Sequence, residues 1–180
     1  MDRSRPTIIG VISKTVITHT ITYFIMGLLA STVFEYGRLY AETDLNLLMR
    51  QTSEPMVMAG PLFQPIRGIL FGIVFFLLRE PLLRSKNGWL VMWITLVVVG
   101  ILSPFGPTPG SIEGMIYTVL PMGLHLTGLP EVILQALILA AVLFYWVNHP
   151  EKKWLNWVMG ITFILTLLLP VLGLLVGQPT

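Results

Sequence analysis

The chain has no cysteine and little charge: of its 180 residues, 11% are Asp, Glu, Lys or Arg, less than half of the roughly 25% usual in soluble domains. Without cysteine there is no disulfide, no thiol nucleophile and no thiolate metal or iron–sulfur site, while haem or metal bound by histidine stays open. The basic residues are scattered in twos and threes and the formal net charge is +2, so the basic surface that nucleic-acid binding needs is missing. Also missing are His-Glu-x-x-His, Gly-x-Ser-x-Gly, a Walker loop and Gly-x-Gly-x-x-Gly. His19, His125 and His149 fall in separate parts of the chain, and no shared metal site is expected from them. No cofactor is legible.

What the chain has in abundance is apolar sequence, 54% of its residues, with a mean hydropathy of +0.80. This predicts an all-α polytopic integral membrane helix bundle, a single transmembrane domain over residues 1–180. Five spans are expected, at about 8–34, 62–78, 89–103, 131–147 and 154–176, with outer segments at 35–61 and 104–130. Residues 112–126 are apolar but short and interrupted by Pro121, so they are read as a re-entrant or outer-surface helical segment. A helix along the membrane surface is expected from Glu35 to near Glu54, where Pro55 disfavours helical backbone in the residue before it. Arg3 and Arg5 precede an apolar run as in a signal peptide. That run continues past Lys14 to Phe34 without a small-x-small cleavage site, which predicts a retained first helix.

Orientation follows from the basic residues. With five spans, Arg3, Arg5, Lys14, Arg79, Arg84, Lys86, Lys152 and Lys153 share one face and Arg38, Arg50 and Arg67 the other. A sixth crossing at 112–126 would move Lys152 and Lys153 across and nearly balance the faces. The positive-inside rule therefore predicts five spans, a cytoplasmic N-terminus and a non-cytoplasmic C-terminus; the membrane expected is the plasma (inner) membrane.

Arg67 is the anomaly, because it lies inside the apolar run from Pro61 to Arg84. A lone guanidinium at that depth costs on the order of 2–4 kcal/mol even when it reaches toward the interface. Gln64 and Gly68 flank it at helical spacing, and Gly68 with Gly72 forms a small-xxx-small pair that predicts close packing on another helix. Glu113 and Glu131 are the expected partners, since each lies in apolar surroundings. His125 and Gln135 are near Glu131 in sequence, and Ser111 is placed to cap a helix beginning at Ile112. The candidate binding cluster is thus Gln64, Arg67, Ser111, Glu113, His125, Glu131 and Gln135, with the glycine-rich 103–114 loop able to offer N–H groups to an anion beside Arg67. On the first helix, Thr15, Thr18, His19 and Thr22 form a polar stripe suited to helix packing or to a proton or ligand role.

Three classes of function fit these features. The first is a non-catalytic subunit, assembly partner or lipid-binding module, with an anionic lipid or small anion held near Arg67. The second is a small transporter or channel that uses Arg67, Glu113, Glu131 and His19 and needs an oligomer to enclose a path. The third is a membrane-embedded enzyme acting on a lipid-linked substrate, with His125 and a glutamate as acid and base. Expected partners are membrane lipids and either another protein or further copies of the chain; no nucleic acid is expected.

Overall fold

The computed structural model of the protein describes residues 6–176. Arg3, Arg5 and the C-terminal residues 177–180, on which the orientation reading partly rests, lie outside them. The described residues are helical with no strand. They run α1 (Ile8–Val33), α2 (Tyr36–Glu42), α3 (Pro55–Met58), α4 (Gly60–Leu77), α5 (Gly88–Val97, prolonged by a wider turn at Val98–Leu102), α6 (Ile112–Tyr117), α7 (Met122–Thr127), α8 (Leu129–Asn148) and α9 (Lys153–Val176).

Four of these stretches are long and apolar enough to cross a membrane: α1, α4, α7 with α8 (Met122–Asn148), and α9. The protein is an integral membrane helix bundle. α5 with its prolongation, Gly88–Leu102, is a shorter apolar helix than the span expected at 89–103 needs. The span expected to begin at Glu131 is extended back to Met122, because Gly128 keeps near-helical angles (φ −82°, ψ −14°) and Pro130 falls in the first turn of α8. Residues 112–121 do not cross: α6 has six residues and its C-cap Thr118 is extended.

The surface helix ends earlier than expected, at Glu42. Thr43 is extended; its hydroxyl donates to the Leu39 carbonyl and accepts from the Leu45 N–H at 3.3 Å, starting a tight new turn over Asp44–Leu47. Pro55 then opens α3 rather than following a helix, as suits a residue with fixed φ and no N–H.

Exposure is organised as in lipid rather than in water. On α4, Phe63, Ile66, Leu70, Ile73 and Leu77 are exposed, whereas Gly68, Gly72 and Phe75 are buried. The buried face meets α1, with Gly68 against Val16 and Gly72 against Ile12, as the small-xxx-small pair predicts. α1 also packs on α8 and α9, and α5 packs on α8. The hub is therefore α1 rather than the arginine-bearing helix.

Residues 34–59 and 103–128 lie at one end of the bundle, the loop end, where Tyr36 bonds Glu131, Met58 approaches Gly173 and Gly110 approaches Leu129; the short connections 78–87 and 149–152 lie at the other, the turn end, where Asn148 donates to the Leu83 carbonyl. An apolar cluster of Val11, Phe75, Leu82, Leu83, Met92, Ala140 and Leu143 fills the turn-end half, and a second joins Ile21, Trp146, Leu155 and Met159. Lys14 ties α1 to this half: its Nζ donates to the Trp146 carbonyl at 2.9 Å and lies 5.3 Å from the Trp146 ring. Neither cluster reaches the loop end.

Candidate functional site

The seven residues expected to converge are distributed over three places. Gln64 and Arg67 lie on α4 at the α1 seam. The Gln64 amide donates to the Gly60 carbonyl at 3.2 Å, and its oxygen takes the other hydrogen bond, 3.1 Å from His19 Nε2. Arg67 is exposed, with its guanidinium 5.3 Å from the centre of the Phe71 ring. It forms no ion pair with Glu113 or Glu131; the ion pairs among the described residues are Arg38 with Glu35 and Glu42, Arg50 with Glu54, and Arg84 with Glu80. α4, which carries Arg67, and α8, which carries Glu131, each pack on α1, and the Glu131 carboxylate is taken up by the Tyr36 hydroxyl instead.

Ser111 and His125 form the second place, a buried knot in the loop-end segment. Ser111 caps α6 as expected, accepting from Gly114 N–H at 2.9 Å and donating to the Thr108 carbonyl at 2.7 Å. His125 Nδ1 accepts from Gly110 N–H at 3.1 Å, which leaves the ring proton on Nε2, 3.2 Å from the Thr118 hydroxyl; that hydroxyl in turn donates to the Gly114 carbonyl. The Gly110 and Gly114 N–H groups, expected to face an anion, are thereby engaged inside the loop. Glu113 and Gln135 are half-buried and make no side-chain hydrogen bond among the described residues.

Glu131 marks the third place, and here a cavity opens. Its carboxylate accepts a short hydrogen bond from the Tyr36 hydroxyl. Tyr36 and Tyr40 stack on one another with ring centres 5.0 Å apart, and Tyr23 on α1 faces the same space. Burial first, and then Glu131 beside it, pushes the Tyr36 hydroxyl far above the ordinary tyrosine range; burial and the same carboxylate push Tyr40 up to about 12. Both therefore remain neutral donors. The cavity is about 750 Å³ and is lined by residues of α1, α2, α3, α4, α8 and α9 together with the 48–52 turn. Leu28 and Leu169 line it and are also 57% and 54% exposed on the outer faces of α1 and α9, so it reaches the lipid-facing surface. Arg50 and Thr52 stand at its loop-end rim.

The sequence reading missed the three tyrosines. The available signal was Tyr36 and Tyr40 at i and i+4, which puts both rings on one helical face next to the end of a span. The polar stripe of α1 is packing material in large part: Thr15, Thr18 and Thr22 donate to the carbonyls of Val11, Lys14 and His19. His19 Nδ1 and the Thr20 hydroxyl are buried without a partner. Among the described residues, no three His, Asp or Glu side chains are grouped so as to hold a metal ion. No family model, no curated protein and no solved structure matches this chain.

Proposed function

We propose that the protein is a non-catalytic membrane module that holds one lipid-like amphiphile in the loop-end cavity. The observation that carries this is the cavity itself, whose volume of about 750 Å³ falls within the 300–1,000 Å³ typical of ligand sites. It has a lipid-facing opening at Leu28 and Leu169, a single carboxylate in its wall and polar groups at the rim, so an acyl chain and a headgroup would each find their own surroundings. Its chemistry suits holding rather than turnover: no histidine lines it, and the Ser31 hydroxyl is engaged by the Leu28 carbonyl at 2.8 Å. Arg67, exposed and without a carboxylate partner, would meet phosphates of the surrounding lipid from outside the cavity.

Filling the cavity tests this reading. A Cβ at Gly27 would lie 3.8 Å from Glu131 Oε1 and one at Gly173 would lie 3.5 Å from Met58 Cε, both ordinary contacts, so larger side chains at these positions grow into the open volume. Gly173→Leu and Gly27→Leu are expected to lower co-purifying lipid, measured by mass spectrometry of the detergent-solubilised protein, about tenfold while thermal stability holds. Lipid content unchanged in both variants would refute the reading.

We further propose that the loop end faces away from the cytoplasm, on the support of Lys14, Arg79, Arg84, Lys86, Lys152 and Lys153 toward the turn end against Arg38, Arg50 and Arg67 toward the loop end. Asp44→Cys, at an exposed position in a chain free of other thiols, should react with an impermeant maleimide on intact cells. Labelling only after lysis would reverse the orientation.

A further inference from the structure

We infer that the headgroup held in the cavity is an ammonium group, ethanolamine or choline, of a zwitterionic phospholipid; this rests on the lipid-holding reading above. Glu131 is the first reason. Its carboxylate stands half-buried in the cavity wall and enters no ion pair among the described residues, and Tyr36 supplies its one side-chain hydrogen bond. An ionised carboxylate can accept about four hydrogen bonds, so it has capacity for a further donor or cation. Tyr36 engages Oε2, whereas Oε1 is the atom facing Gly27, where the missing side chain leaves the approach open.

The aromatic walls are the second reason. Tyr23, Tyr36 and Tyr40 line the same volume; Tyr36 is stacked on both Phe34 and Tyr40, so Tyr23 and Tyr40 are the rings left to offer an ammonium or quaternary ammonium group the negative quadrupole of an aromatic face. A carboxylate beside several rings is selective in sign: it draws a cation inward and repels the net negative headgroup of an anionic lipid. The rim is the third. Arg50 and Thr52 offer donors at the loop-end edge, where the phosphate next to an ammonium would sit; Arg50 is held by Glu54 at 2.9 Å, so it is placed without being neutralised by the cavity's own carboxylate. The apolar remainder, with Leu28, Met58, Leu169 and Pro170, takes the chain.

The test uses the full chain, delipidated in detergent and titrated with short-chain phosphatidylethanolamine, phosphatidylcholine and phosphatidylglycerol, with bound lipid counted by native mass spectrometry. The wild type is expected to bind the two ammonium lipids at least tenfold more tightly than phosphatidylglycerol. Glu131→Gln, which keeps the shape and an acceptor for Tyr36, should lose most of that preference while still binding all three. Should that variant fail to fold, Tyr40→Leu, which leaves the Tyr36–Glu131 bond in place, is expected to reduce the preference severalfold. Equal binding of the three lipids by the wild type, or preference for phosphatidylglycerol, overturns the ammonium inference; if that binding is still lost in Gly173→Leu, the lipid-holding reading survives. Binding that Gly173→Leu does not diminish overturns both.

Discussion

Leucine in place of Gly72 is expected to produce the largest loss of stability of any single change along α4, and Gly68→Leu a loss nearly as large. A Cβ at Gly72 would stand 2.8 Å from the Ile12 Cα, and one at Gly68 would stand 2.7 Å from the Val16 Cα. These are main-chain atoms of α1, which cannot turn aside as a side chain can, so the helices must separate. Between helices in lipid there is no hydrophobic gain from closing the gap, and association rests on close van der Waals contact. Overpacking alone costs about 1–3 kcal/mol, and here the displaced surface also belongs to the hub helix. Apparent melting temperature in a mild detergent is the measurement. Gly160→Leu on α9 is the control, because a Cβ there meets nothing within 4 Å, and its effect should stay within about 0.5 kcal/mol. A Gly72→Leu protein as stable as the control would mean that α1 and α4 do not touch at this seam.

His125→Leu is expected to have the second-largest effect, but a local one. The change keeps an apolar side chain of useful size in a position that is 2% exposed, yet removes both ring nitrogens. Gly110 N–H, 3.1 Å from Nδ1, then has no acceptor, and the Thr118 hydroxyl loses its donor. A buried donor left unmatched costs about 1–3 kcal/mol. Gly110 has no easy alternative conformation for another residue to rescue: its φ is +86°, and a Cβ would lie 2.8 Å from Leu129 Cδ2 and 3.1 Å from the His125 carbonyl oxygen. The 104–121 segment should therefore open. Hydrogen exchange is expected to rise about tenfold at the Gly110 and Gly114 amides, with α1 and α4 unchanged. Exchange that is equally slow in the variant would show that the segment is held by something other than this histidine. Ser111→Ala gives a graded comparison, since loss of an N-cap side chain costs about 0.5–2 kcal/mol.

The contrast between Gly72 and Arg67 shows which features were legible in the sequence. Membrane residence and helical class follow from composition and from apolar runs of spanning length, because backbone groups in lipid must be satisfied within their own segment. The Gly68/Gly72 seam and the Ser111 cap were equally legible, since each depends on residues within one turn of helix. The end of the surface helix was misplaced because Thr43, a residue with modest helix preference, bonds its own neighbouring backbone and redirects the chain twelve residues before the proline does.

Other features were decided only by the tertiary structure. Arg67 and Glu131 are both costly to bury, and a cost argument on sequence pairs them; in the fold Arg67 is exposed with its guanidinium 5.3 Å from the centre of the Phe71 ring, and no carboxylate among the described residues pairs with it. Glu131 instead meets Tyr36, 95 residues away in the chain, and the cavity is assembled from six helices. Hydropathy could not have given this. In water an apolar residue strongly prefers the protein interior, so periodicity reveals the buried face; in lipid both faces of a spanning helix are apolar, and Ile66 facing lipid reads like Leu143 facing a neighbour. Which face packs, and where packing fails and leaves a cavity, depends on the shapes of helices brought together across the whole chain.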